Sequence, residues 1–252
     1  LLSRGLGDVY KRQEYLSLYT MGKTLQEIKS ELDISQTTAY RILNTLVRLG
    51  YLIYNEDTKH YKLSRKLLTL GFRSLNEHNL LEIVLPHLRN LRDQVKETAC
   101  FGVLGDQKGI FIEQAQGHHT FRFVLSPGKP FELHCSAPGK AIMAYLPNTV
   151  RDYYLAQMEF TRYNARTITT PEAYMEELEK VRRQGYAMDN EEELSGVVCV
   201  GTPIFNYTSY PCGAIWISGP KDRLSKEVIR QSVEYIKDTA QCISRELGYS
   251  HI

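Results

Sequence analysis

Covalent and metal chemistry need nucleophiles, bases or ligands at defined spacings, and the five cysteines and seven histidines of this sequence are the first places to look. Cys100, Cys135, Cys199, Cys212 and Cys242 are odd in number and widely scattered, with no CxxC pair. Neither a disulfide framework nor a zinc finger is indicated, and free thiols are expected. His134 beside Cys135 suggests a thiol with its base, but neighbours along a strand point to opposite faces, which would not align the pair for catalysis. His134, Cys135, Asp189, Glu193 and Cys199 are ligand types without the paired spacing of a metal site. No GxSxG elbow, P-loop or HExxH occurs, and the Gly139–Lys140 step lacks the glycine loop a phosphate needs. The expectation is therefore no catalysis, no metal and no cofactor, and side chains that work by non-covalent recognition.

The clearest recognition pattern lies between Thr24 and Leu63. Thr24 followed by Glu27 is a capping box that opens a helix carrying Leu25, Ile28 and Leu32 on one face and ending near Asp33. Ser35 can cap a second helix almost at once. That helix places Ala39, Ile42, Leu43, Leu46 and Val47 on an apolar stripe, and Gln36, Thr37, Thr38, Tyr40, Arg41, Asn44 and Arg48 away from it. Hydrogen-bonding and cationic residues on one helical face suit the edges of bases in a major groove, with the N-terminal residues nearest them. Gly50 should end the helix. Two short strands, 51–54 and 60–63, then flank the polar turn from Asn55 to Lys59, a wing from which Lys59, His60 and Lys62 could reach phosphates. Helix, tight turn, polar-faced helix and basic hairpin, in that order, read as a winged helix-turn-helix for double-stranded DNA.

Charge agrees. Residues 14–75 hold nine Lys+Arg against six Asp+Glu, whereas residues 76–252 hold 19 against 22. A basic head on a slightly acidic body fits a head that meets a polyanion. With 42% hydrophobic and 24% charged residues in 252, the chain reads as an ordinary globular protein of two domains. No apolar run approaches the roughly 20 residues that span a bilayer, and no basic-then-apolar signal opens the sequence, so no membrane is expected and a cytoplasmic location is. Ser3 to Gln13, SRGLGDVYKRQ, resembles the translation of an adapter used in transposase-based sequencing libraries. Residues 1–13 are set aside from the fold on that ground, and the native chain is expected to start upstream of Glu14.

The head, in the segment ISQTTAYRILNTLVRLGYL, resembles that of IclR-type transcription regulators, and HYKLSRKLLTLG resembles their wing end and linker helix. Gly185, Asp189, Glu192, Cys199, Val200, Gly201, Ile204, Phe205 and Asn206 fall at the spacings of that family's effector-domain signature. LHCSAPGKA (133–141) and RTITTPEA (166–173) are similar to two further segments. Beyond the set-aside residues 1–13, the resemblance implies three parts: a winged helix-turn-helix over 14–63, a linker helix over 64–78, and an effector-binding domain over 79–252 with a GAF-like fold. It also implies a regulator, most often a repressor, answering a small organic acid, and dimers or dimers of dimers joined in part through Leu67, Leu68 and Phe72. A sensory or hydrolytic domain whose head binds something other than DNA is the alternative.

Read without the resemblance, the body is α+β. After a helix with Leu81, Val84, Leu88, Leu91 and Val95 on one stripe and a bend expected at Pro86, ACFGVL and IFIEQA form a hairpin, and FRFVL (121–125) a further strand. Helices are expected from SAPGKA, over PEAYMEELEKVRRQG and at the C-terminal end; VVCVGTPIF and CGAIWIS read as strands. The resemblance places an effector pocket among Ser136, Ala137, Asp189, Glu193, Cys199, Trp216 and Ser218. Ser136 and Ala137 precede a helix whose free amides could hold a carboxylate. Alternation in GAIWIS means that a pocket lined by Ser218 is lined by Trp216 as well.

Overall fold

Thr24 and Glu27 form a reciprocal cap in the computed structural model: the Thr24 amide donates to Glu27 Oε2 at 2.8 Å and the Glu27 amide to Thr24 Oγ1 at 3.3 Å. The structure describes residues 16, 19, 21–31, 35–67, 69 and 80–250. They fall in two compact units, one up to residue 78 and one from residue 79. Leu32, Asp33, residues 1–13, Leu68 and Phe72 lie outside the described residues, as does most of the expected linker helix.

In the first unit the capping box opens α1 (Leu25–Glu31), which buries Ile28 completely. Ser35 opens α2 (Gln36–Arg48), its hydroxyl accepting from the Thr38 amide at 3.2 Å. Ala39, Leu43 and Leu46 of α2 are buried, and Leu43 and Leu46 join Leu16, Ile28, Leu52 and Tyr61 in a small core. Ser35→Ala is expected to cost about 1 kcal/mol, since one first-turn amide loses its acceptor, and Ser35→Asp should keep most of it; denaturant unfolding of the full chain measures both. Gly50 ends α2 at φ 77°, with the Gly50 amide on Val47 O (2.9 Å) and the Tyr51 amide on Leu46 O (2.8 Å). This is a Schellman motif, which needs a left-handed residue. The hairpin of β2 (Leu52–Tyr54) and β3 (His60–Leu63) follows, and β3 also pairs with a two-residue β1 (Lys23–Thr24) that sequence alone did not suggest.

The second unit is built on a six-stranded antiparallel sheet. Its strands are β4 (Thr98–Leu104), β5 (Gly109–Ala115), β6 (Pro130–Phe131), β7 (Ala187–Asn190), β8 (Val197–Phe205) and β9 (Pro211–Pro220), in the order β6-β5-β4-β9-β8-β7. Alternation divides the strands cleanly. Phe101, Val198, Val200, Ile215 and Ile217 face α3 (Leu80–Val95), which runs through Pro86, and α7 (Lys226–Glu246). Ala187 and Ala214 face α4 (Ala137–Tyr145), against which α6 (Pro171–Gln184) packs. A further helix, α5 (Asn148–Gln157), carries no strong apolar stripe in sequence and was not anticipated.

Residues 121–125 are not the strand their alternation predicts. Side chains take the place of a ladder there. Thr98 Oγ1 donates to Phe123 O at 2.9 Å, Gln114 Nε2 donates to Leu125 O at 2.9 Å, and the Leu125 amide donates to Gln114 Oε1 at 3.1 Å. His134 and Cys135 lie in the turn between β6 and α4, not on a strand as expected.

Candidate functional site

Every recognition residue expected on α2, namely Gln36, Thr37, Thr38, Tyr40, Arg41, Asn44 and Arg48, is exposed, on the side away from Ala39, Leu43 and Leu46. Tyr40 leaves 54% of its surface open, a large exposure for an aromatic residue. Lys59 is exposed in the wing turn at φ 58°, beside Asn55, whose Oδ1 accepts from the Asp57 and Thr58 amides. Lys66 was not anticipated: its ammonium donates to Leu49 O at 2.6 Å and lies 4.6 Å from the Tyr51 ring centre, countering the negative end of α2.

In the second unit a cavity of about 300 Å³ opens between the sheet, the start of α4 and two loops. Phe111, Ser136, Asp189, Cys199, Trp216 and Ser218 are its buried interior. Val124, Lys129, Pro130, Glu193 and Leu194 are exposed at its mouth, with Phe123, Leu125 and Phe131 between. Trp216 fits because its neighbours are small. Cys100 and Gly201 pair with it across the sheet, and a Cβ on Gly102 would stand 3.1 Å from its ring. Phe131 meets the indole edge to face at 5.5 Å and Phe111 at 6.0 Å.

Asp189 Oδ1 accepts from the Glu192 amide at 2.7 Å. Burial nevertheless pushes the Asp189 carboxyl up to about 7; the Glu192 amide and Lys140 hold it down, and Glu192 and Glu193 add to the rise. Cys199 Sγ lies 3.1 Å from Ser218 Oγ, and burial raises the thiol well above its usual range, so it stays protonated. The turn that follows Asp189 and β7 is tied down from three directions. Glu192 Oε1 accepts from the fully buried Lys140 Nζ at 2.5 Å, Glu192 O from Thr167 Oγ1 at 2.6 Å, and Glu191 O from Asn164 Nδ2 at 2.9 Å. Segments far apart in sequence, around Lys140, Thr167 and Asp189, thus converge on one turn.

Six of the seven residues expected at the effector pocket line this cavity. Ala137 does not: it is wholly buried, and Pro138 takes its place. The expected cradle of helix amides is also reduced. Pro138 has no N–H, and the Gly139 amide donates to Ser136 Oγ at 3.1 Å, while Ser136 in turn donates to Glu132 O. Sequence reasoning missed Lys129 and the rings of Phe111, Phe123 and Phe131. Alternation in IFIEQA would have put Phe111 on one face, but which face depends on strand pairing. His134 Nε2 lies 3.0 Å from Thr161 O, and burial pushes the Cys135 thiol up, so the two make no nucleophile–base pair. Among the described residues no three His, Cys, Asp or Glu side chains are grouped so as to hold a metal ion, and no helix is long and apolar enough to cross a membrane.

Comparison with known proteins accounts for both units. Residues 14–56 match the IclR helix-turn-helix domain, and residues 72–245 match the family described as bacterial transcriptional regulator IclR C-terminal. The HTH-type transcriptional regulator BhcR of Paracoccus denitrificans is 32% identical over 223 residues, 88% of this chain and 80% of that protein. The HTH-type transcriptional regulator KdgR of Escherichia coli is 31% identical over 225 residues, 89% and 86% of the two chains. The crystal structure of Thermotoga maritima IclR superposes with a TM-score of 0.75 at 30% identity, covering 98% of this chain and 100% of that one. The exposed polar face of α2 and the α+β unit with its anchored turn are therefore parts of a non-enzymatic, DNA-binding architecture, and the chain belongs to the IclR family of transcriptional regulators.

Proposed function

We infer that this chain is a cytoplasmic repressor whose hold on operator DNA is set by a small organic acid in the cavity of the second unit. The observation that carries this reading is the cavity: polar groups converge in a buried, ring-lined space of about 300 Å³, the size and make-up of a small-molecule site. Ser136, Asp189, Glu193, Cys199, Trp216 and Ser218 are its contact residues, with Ala137 behind them. Homodimers, or dimers of dimers, belong to the same reading, because one helix-turn-helix reads only a short half-site and operators pair two of them.

Gln36, Thr37, Thr38, Tyr40, Arg41, Asn44, Arg48 and Lys59 form the DNA-contacting set. Arg41→Ala should weaken binding to the DNA upstream of the chain's own gene by about 1–3 kcal/mol and relax sequence preference if Arg41 meets a base edge. A uniform loss on all sequences would mean a phosphate contact. Mobility shifts at several salt concentrations distinguish the two, and unchanged binding by the folded variant would remove Arg41 from the set. Titrating candidate acids against Trp216, the chain's only tryptophan, tests the effector half: an acid that alters operator binding should alter the indole emission.

A further inference from the structure

Three consecutive carbonyls, where α2 gives way to the wing, each take a donor from the short segment Ser64 to Lys66. The Lys66 ammonium donates to Leu49 O at 2.6 Å, the Ser64 hydroxyl to Gly50 O, and the Ser64 amide to Tyr51 O at 2.9 Å. Ser64 Oγ also accepts from the Lys66 amide at 3.2 Å, which ties the two donating residues to each other. The Lys66 stem crosses Gly50, where a Cβ would stand 3.5 Å from Lys66 Cδ, and its ammonium lies over the Tyr51 ring. Leu49 to Tyr51 leads from α2 into β2 at Leu52, and Ser64 follows the end of β3 at Leu63. Both ends of the wing are therefore pinned to the end of α2 at one junction. Turning α2 against the wing would break these bonds together.

A helix laid in a groove and a wing laid on the backbone must be held at one angle for both to engage, and that demand falls on residues that touch no base. The Lys66 cation is placed for this task. It donates to Leu49 O at the negative end of α2 and rests against a ring face, so its charge is engaged within the head. Resting on the reading of α2 and the wing as the DNA-contacting elements, we propose that Lys66, with Ser64, is a positioning residue that sets operator specificity by holding α2 and the wing at a fixed angle. Binding to arbitrary DNA needs little more than charge near phosphates and tolerates a range of angles. Binding to the operator does not. Loosening the junction lowers the fraction of heads competent for the operator, and the apparent affinity falls by that fraction.

Mobility shifts of the full chain and its Lys66→Met, Lys66→Arg and Ser64→Ala variants test this, on the DNA upstream of the chain's own gene and on a scrambled duplex of equal length. Several salt concentrations are used, and urea unfolding of each variant runs alongside. Lys66→Met keeps the stem over Gly50 and removes the donor. It should weaken operator binding about three- to tenfold, the weight of one hydrogen bond, and change scrambled-duplex binding less than about twofold. The salt slope should stay as it is, because no phosphate contact is lost. Ser64→Ala removes no charge and should act in the same direction. Lys66→Arg can still donate to Leu49 O and stack on Tyr51, and should restore most of the loss. A Lys66→Met loss shared by both duplexes, with the slope reduced by about one, would mean a phosphate contact and overturns the proposal. A drop in urea stability with operator binding unchanged would leave Lys66 a structural cap and overturns it too. A wild type that does not prefer the operator to the scrambled duplex overturns the reading of the head, and the proposal falls with it.

Discussion

Lys140→Ala should destabilise the second unit by about 3–5 kcal/mol, the penalty for leaving a buried charge without its partner. Lys140 is fully buried; its ammonium lies 2.5 Å from Glu192 Oε1 and 3.7 Å from Glu177 Oε1. Glu192 Oε2 is buried with no hydrogen-bond partner among the described residues. Removing the lysine therefore leaves Glu192 with only a long contact from the Asn190 amide, at 3.5 Å, and Glu177 without one of its two lysines. Burial already raises the Glu192 carboxyl, and Lys140 is the chief influence holding it down. Without the lysine it should take up a proton at higher pH, so the deficit of Lys140→Ala should shrink on acidification. Lys140→Met combined with Glu192→Gln should recover much of the loss, since a neutral pair has no charge to bury. Urea unfolding at neutral and mildly acidic pH tests the set, and a loss below about 1 kcal/mol for Lys140→Ala would show that water reaches the pair.

Asp189→Asn should raise stability above neutral pH. Folding lifts the Asp189 carboxyl from its ordinary 3.8 to about 7. A raised carboxyl favours folding while it is protonated, and that contribution fades as pH climbs from the unfolded value through the folded one. The wild type should thus lose up to about 4 kcal/mol between pH 4 and 8, at about 1.4 kcal/mol for each unit of displacement. Asn cannot ionise and still accepts from the Glu192 amide. The variant should match the wild type near pH 4 and exceed it near pH 8, with the gap opening mostly between. Parallel stability curves would show that Asp189 ionises in the folded protein as it does in water.

The parts of this molecule legible in the sequence are those fixed by neighbours along the chain. Thr24 with Glu27, Ser35, and the 3-4 stripe from Ala39 to Leu46 each act within a few residues, and the structure realises all three. Alternation in CGAIWIS likewise put Trp216 and Ser218 on one face without knowledge of what that face met. The FRFVL alternation misled because Thr98 and Gln114 supply hydrogen bonds that a neighbouring strand would have supplied. The Lys140–Glu192 pair spans 52 positions, and no local pattern distinguishes a lysine destined for burial. Phe123 and Lys129 escaped for a related reason: they reach the cavity from a loop whose path is set by contacts elsewhere.

That loop has an evolutionary side. Residues 121–126 contribute Phe123, Val124 and Leu125 to the cavity, yet they are fastened by the side chains of Thr98 and Gln114 and set no strand register. A substitution within a ladder strand risks slipping every residue beyond it to the wrong face. A substitution, or even a change of length, in this loop carries no such risk so long as these anchors, and that of Arg223 on Phe121 O, persist. Ligand preference can therefore drift, by duplication and divergence or in a selection experiment, through a segment the sheet does not depend on.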